Sequence, residues 1–196
     1  MNFAPSFTRM AALAVALVWL TGCAVKPESD AMVPKTVDRV DLKRYQGTWY
    51  ELARLPMFFQ RNCAQSQAQY TLKDDGNIGV INRCRTLEGK WEQATGTASP
   101  QVEGKTDKLW VVFDNWVSRL LPGMTKGHYW VLYVSSDYKQ ALVGSPDRKY
   151  LWLLSRTAHV SESIRNEMLM KAQQQGYDTT RLIWRIEDSK IANVIH

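Results

Sequence analysis

The sequence predicts an all-β fold, an antiparallel sandwich or an up-and-down barrel, with a single helix after it. Three observations carry that prediction. Between Asp41 and Arg156, eight short strand-like segments follow one another with no helical periodicity between them. The breaks carry turn chemistry: DDGN at 74–77, EGK at 88–90, PG at 122–123 and SPD at 145–147. After Arg156 the period changes. Apolar residues at 164, 168, 169 and 172 fall on one helical face of 161–175, and Gly176 stands where a C-terminal cap belongs.

Each element can be justified in turn. The first strand, Thr48–Leu55, nearly alternates polar and apolar residues, and parity sets Glu51 on the face of Trp49 and Ala53. A carboxylate on that face fits a cavity with a few polar anchors, or an internal pair with a basic side chain. It does not fit a dry core, where an unpaired charge is costly. Gln65–Lys73, Ile78–Cys84 and Lys90–Ala98 follow as the second to fourth strands. In the fifth, Lys108–Phe113, Lys108 shares a face with Trp110, so Leu109, Val111 and Phe113 form the inward set. The sixth, Gly127–Ser135, is apolar on both faces, and parity does not choose between them. Gln140–Gly144 is the seventh. In the eighth, Tyr150–Arg156, the residues Tyr150, Trp152 and Leu154 share parity with Arg156. Beyond the helix, Arg181–Ile186 returns to strand.

Ahead of the strands the chain has a different character. Arg9 is the one charged residue before a run of 12 uncharged residues, Met10–Thr21, which ends in Gly22 and Cys23. As a helix that run covers roughly 18 Å, short of a hydrocarbon core of about 30 Å. A positive start, a short apolar middle and small residues before a cut make residues 1–22 a signal peptide. The ending LTGC resembles the bacterial lipobox, which implies that Cys23 is acylated and becomes the first mature residue. Ala24, in place of an aspartate, implies the outer membrane, with the protein lipid-anchored on its periplasmic face. Residues 23–37, with two prolines and scattered charges, read as a lipidated tether, and 38–196 as one domain.

Removal of the leader leaves 174 of the 196 residues and lowers the formal charge from +6 to +5, because Arg9 is lost. That balance suits proximity to anionic headgroups. No basic stripe concentrates it, and an exported chain does not meet nucleic acid. Two cysteines remain, Cys63 and Cys84, and export to an oxidising compartment makes a disulfide between them the default.

Three segments together are specific: GTWYELAR at 47–54, SSDYKQALV at 135–143 and YLWLLSR at 150–156. In this order and spacing they resemble the signature segments of the lipocalins, and with the lipobox they are similar to the bacterial outer-membrane lipoprotein branch of that family. The resemblance implies a closed eight-stranded antiparallel barrel with one helix packed outside and a short final strand. Such a barrel is either filled by side chains or holds one small ligand. In that topology Trp49 and Arg156 fall at the same end, where an arginine stacked on an indole would plug the base. A Cys63–Cys84 bridge would sit at the opposite, open end. The resemblance favours Tyr129, Val131 and Tyr133 as the inward set of the sixth strand. With Glu51, Leu109, Val111, Phe113, Tyr150 and Trp152 they make the expected ligand-binding lining.

The function implied is that of a carrier for a fatty acid or lysophospholipid, with the bilayer as second partner through the anchor. Two rivals stay open: an envelope interaction protein with a filled barrel, and an enzyme built on Glu51. Pairing of two barrels as a homodimer also stays open. The apolar loops LPMFF at 55–59 and WVSRLLPGM at 116–124 mark a membrane, partner or ligand portal, or a lid. The chain carries no G-x-S-x-G, C-x-x-C or H-E-x-x-H, and His128, His159 and His196 lack metal-ligand spacing. No catalytic residue, metal or cofactor is therefore expected.

Overall fold

The computed structural model describes residues 1, 33–114 and 126–191. The leader, Cys23, most of the tether and the apolar loop 116–124 lie outside the described residues.

The chain enters through a one-turn helix, α1 (Leu42–Tyr45), which the sequence reading did not anticipate. Asp41 caps it by accepting from the backbone N–H groups of Lys43 and Arg44. Among the described residues nine strands follow, with one long helix between the eighth and the ninth. They are β1 (Gly47–Arg54), β2 (Cys63–Leu72), β3 (Ile78–Thr86), β4 (Trp91–Pro100), β5 (Lys108–Phe113), β6 (Lys126–Val134), β7 (Gln140–Gly144) and β8 (Leu151–Ser155), then α2 (Glu162–Gln174) and β9 (Ile183–Trp184). Consecutive strands pair antiparallel from β1 to β8, and β1 also pairs with β8, so the sheet closes on itself. Closure removes the exposed edges that an open sheet would present.

β1 changes partners along its length. Residues 47–50 lie against β2, 50–54 against β8, and at its far end Ala53 and Arg54 pair with β9 outside the barrel. The final strand thus fills the gap where β1 and β2 diverge: Arg185 N–H donates to Leu52 O and Ile186 N–H to Ala64 O. It is shorter than the sequence suggests, two residues of regular pairing.

Two apolar clusters divide along the barrel wall. The inner one runs from Trp49, Tyr45 and Val40 at the closed end through Tyr70, Ile78, Val80, Leu109, Val111, Val131 and Val143. The outer one packs Leu52, Trp130, Leu132, Leu142, Leu151 and Leu153 under α2, where Met168 and Ala172 are buried. Ser161 starts that helix by accepting from the N–H of Ile164. Gly144 makes the close approach possible, since a Cβ there would stand 2.8 Å from Cζ of Tyr177.

Residues 34–37, placed with the tether by sequence, belong to the body. Pro34 is buried, Val37 N–H donates to Val131 O at 2.9 Å, and the Thr36 hydroxyl bonds the Asp107 carboxylate at 2.6 Å.

Candidate functional site: the barrel interior and its mouth

At the closed end the plug takes the expected form. The Arg156 guanidinium lies 3.9 Å over the Trp49 ring, and Trp49 has no exposed surface. Arg156 donates to the carbonyls of Thr48, Arg44, Tyr45, Gln46 and Tyr138, all within 3.2 Å. It thereby satisfies carbonyls that α1 leaves open at its C-terminus. Trp49 Nε1–H donates to Tyr45 O at 2.7 Å. Gly47 has φ of +95°, and a side chain there would press on the Arg156 guanidinium, which explains the glycine two residues before the tryptophan.

Above the plug, three phenols form a chain across the interior. Tyr45 and Tyr129 hydroxyls lie 2.9 Å apart, and Tyr129 donates to Tyr70 at 3.1 Å. Burial pushes all three above the ordinary phenol range, Tyr70 to about 12. They are neutral polar groups beside the aliphatic side chains of the inner cluster. Ala68, Ala98 and Ala141 are the small members of the inner cluster, and Ala98 pairs with Ile78 on the neighbouring strand. Phe113, Tyr129 and Trp152 pack on the inner cluster yet keep accessible surface.

The residues expected to line the interior, Glu51 apart, divide into three groups. Leu109, Val111 and Val131 are in the inner cluster, with Phe113, Tyr129 and Trp152 against it. Tyr150 is carried to the rim, stacked on Trp152 at 6.0 Å and against Phe59 at 5.7 Å. Tyr133 is a correction: it lies outside, its hydroxyl on Glu167 of α2 and its ring under the Lys171 ammonium. The cause is a bulge. The β6–β7 register slips between Val131 and Tyr133, so Leu132 and Tyr133 both face the helix and Val134 resumes the inner face.

A second bulge answers the Glu51 question. The β1–β8 register slips between Glu51 and Ala53, which sends Leu52 and Ala53 to the outer cluster and Arg54 inward beside Glu51. Glu51 and Arg54 are 5% and 2% exposed, too buried to stand unpaired. Arg54 Nη1 donates to Glu51 Oε1 at 2.8 Å. Arg54 Nη2 donates to the carbonyls of Gln60 and Cys63. The Gln60 amide donates to Glu51 Oε2 and Ser66 Oγ, and its oxygen accepts from Trp152 Nε1. Both carboxylate oxygens are thus engaged, and Glu51 meets the internal-pair reading, not that of an open anchor. Burial pushes its carboxyl up, against the pull of the Arg54 cation and the Gln60 donor. The group latches the first loop into the mouth. The Cys63–Cys84 disulfide pins that loop's end to β3.

Arg54, Gln60, Ser66 and the tyrosines at 45 and 70 were missed from sequence. Parity along AQYTL at 68–72 could have found Tyr70 beside Ala68. Nothing in the sequence announces the bulge that turns Arg54 inward.

A closed eight-stranded barrel plugged by an Arg–Trp pair, with an external helix and an apolar interior, defines the chain as a lipocalin. It belongs to that family: the lipocalin-like domain matches residues 40–187. The outer membrane lipoprotein Blc of Escherichia coli (strain K12) is 39% identical over 149 residues, 76% of this chain and 80% of that protein. The Blc of Vibrio cholerae is 37% identical over 169 residues, 85% of this chain and 92% of that protein. Mouse apolipoprotein D is 31% identical over 121 residues, 61% of this chain and 58% of that protein. Among solved structures, insecticyanin from the tobacco hornworm Manduca sexta superposes with a TM-score of 0.63 at 19% identity, covering 82% and 88% of the two chains. Lipocalins are typically binding proteins for small hydrophobic molecules, not enzymes.

Proposed function

We propose that this lipocalin is a lipid-anchored carrier that shelters one single-chain amphiphile, a fatty acid or lysophospholipid, in its barrel. Residues 1–22 act as signal peptide. Acylated Cys23 then anchors the chain in the outer membrane on the periplasmic face, a location that the names of the Blc relatives support.

The observation that carries the reading is the lining. Aliphatic residues make up most of the inner cluster, Ala68, Ala98 and Ala141 are its small members, and Phe113, Tyr129 and Trp152 beside it are only partly buried. Burying an acyl chain against such a wall contributes about 0.8 kcal/mol per methylene, so a medium chain is held without covalent chemistry. The phenol chain of Tyr45, Tyr129 and Tyr70 gives the far end of a ligand a neutral polar contact.

The test is lipid extraction and mass spectrometry of the full chain purified from a bacterial host, alongside Ala98→Phe. Ala98 is 3% exposed and faces Ile78 and Val111, so a phenyl ring there fills the centre. The parent should yield a stoichiometric single-chain lipid, and the variant little of it. A parent that carries no lipid, and whose Trp fluorescence ignores added fatty acid, refutes the reading.

A further inference from the structure

The exposed large apolar side chains are unevenly placed. Four of them gather where β1, β3 and β7 end, at the open rim: Phe58 (74% exposed), Phe59 (61%), Leu87 (51%) and Trp91 (57%). They stand on two segments that are joined to each other. Phe58 and Phe59 belong to the first loop, Leu87 and Trp91 to the β3–β4 hairpin, and Leu87 N–H donates to Asn62 O to join the two. The disulfide ties the same two segments together. A patch of this kind is what a soluble surface ordinarily avoids.

Beside it runs a groove of about 480 Å³ between Leu55–Phe58 and Asp147–Tyr150. Its charged lining is Arg148, Lys149 and Arg181 against the single carboxylate of Asp147. Arg61 adds a further cation, its guanidinium 4.4 Å over the Phe58 ring. Aromatic rings at a rim with cations set among and behind them match the interface of a bilayer, with rings at headgroup depth and cations on phosphate. A protein partner would need acidic complementarity to the groove and apolar complementarity to the rim at once; an anionic bilayer supplies both everywhere.

We propose that the open rim is a docking surface for a bilayer containing anionic phospholipid. Phe58, Phe59 and Trp91 enter the interface, and the groove beside them takes headgroup phosphates. The mouth then opens onto the membrane, and an acyl chain passes between bilayer and barrel without crossing water. This rests on the carrier reading for its purpose but not for its geometry.

The experiment uses the full chain with one added thiol, Phe59→Cys, Trp91→Cys or Val102→Cys, labelled with an environment-sensitive fluorophore. Val102 is 62% exposed in the β4–β5 turn at the closed end and serves as the control. Vesicles contain phosphatidylethanolamine and phosphatidylglycerol with nitroxide-labelled lipid as quencher. Labels at 59 and 91 should be quenched and blue-shifted, and the label at 102 should not. Replacing phosphatidylglycerol by phosphatidylcholine should weaken the effect. Phe58→Ser with Phe59→Ser, read through the label at 91, should lower the docked-to-undocked ratio roughly tenfold. Equal quenching at all three positions, or none at 59 and 91, overturns the proposal. So does shielding at 59 and 91 that follows protein concentration and ignores lipid, which would assign the rim to a second copy. Mass spectrometry of lipid bound in the same preparations separates the two ideas: bound lipid without docking sinks only the rim, and docking without bound lipid sinks only the carrier.

Discussion

The Glu51–Arg54 pair makes an asymmetric prediction. Glu51→Gln leaves the Arg54 guanidinium buried with one acceptor weakened, and a guanidinium does not surrender its proton to escape. Breaking a buried pair from this side costs about 3–5 kcal/mol, with little dependence on pH. Arg54→Met removes the cation and also frees the carbonyls of Gln60 and Cys63, about 1 kcal/mol each. The carboxyl it leaves behind has another escape. Burial already raises Glu51, and without Arg54 the main opposing pull is gone, so the folded-state value climbs further. A folded value above the unfolded one favours folding at low pH and is lost as pH rises through it. The stability gap between Arg54→Met and the parent should therefore open above the parent's Glu51 value and widen by about 1.36 kcal/mol per pH unit, until the variant's carboxyl ionises. Urea unfolding midpoints, with slopes checked for constancy, measure both variants between about pH 4 and about pH 8. The double variant should cost less than the sum of the singles. Additive singles, or a pH-independent Arg54→Met, would refute the coupling.

Four further outcomes are expected. Replacing Cys63 and Cys84 by alanine opens a loop of 21 residues and should cost about 3 kcal/mol on chain-entropy grounds, read as a lower urea midpoint that reductant no longer changes. Arg156→Met removes five donations to carbonyls and the stack on Trp49, on the order of 3 kcal/mol, with loss of the near-ultraviolet circular dichroism of that indole. Gly144→Ala forces Tyr177 and Leu132 away from β7 and should destabilise by roughly 1–3 kcal/mol; a crystal structure of the variant would show α2 displaced. The buried phenols set an alkaline limit. Their folded values lie above the unfolded value of about 10, so their contribution is intact below it and declines as pH climbs toward 12 and past it. Phenolate absorbance from Tyr45, Tyr70 and Tyr129 should appear only together with unfolding, and Tyr129→Phe should shrink the alkaline fall in the urea midpoint.

The eight-strand order, the external helix and the pairing of Cys63 with Cys84 were legible in the chain, and the Trp49–Arg156 plug was what its resemblance to the lipocalins implied. These rest on turn residues, on the change from a period of two to a helical one, and on segments spaced along the chain, all local or ordered signals. The sequence also placed Leu109, Val111 and Phe113 inward, because β5 is regular. Where parity breaks was set by packing between distant strands. Two one-residue slips, after Glu51 and after Val131, turned Arg54 inward and Tyr133 outward. A slip of that kind is set by how a strand fits partners far away in sequence, β8 for the first and β7 for the second, and by what the helix must cover. No residue within either strand records it, so a pattern of alternation followed past the slip assigns every later side chain to the wrong face.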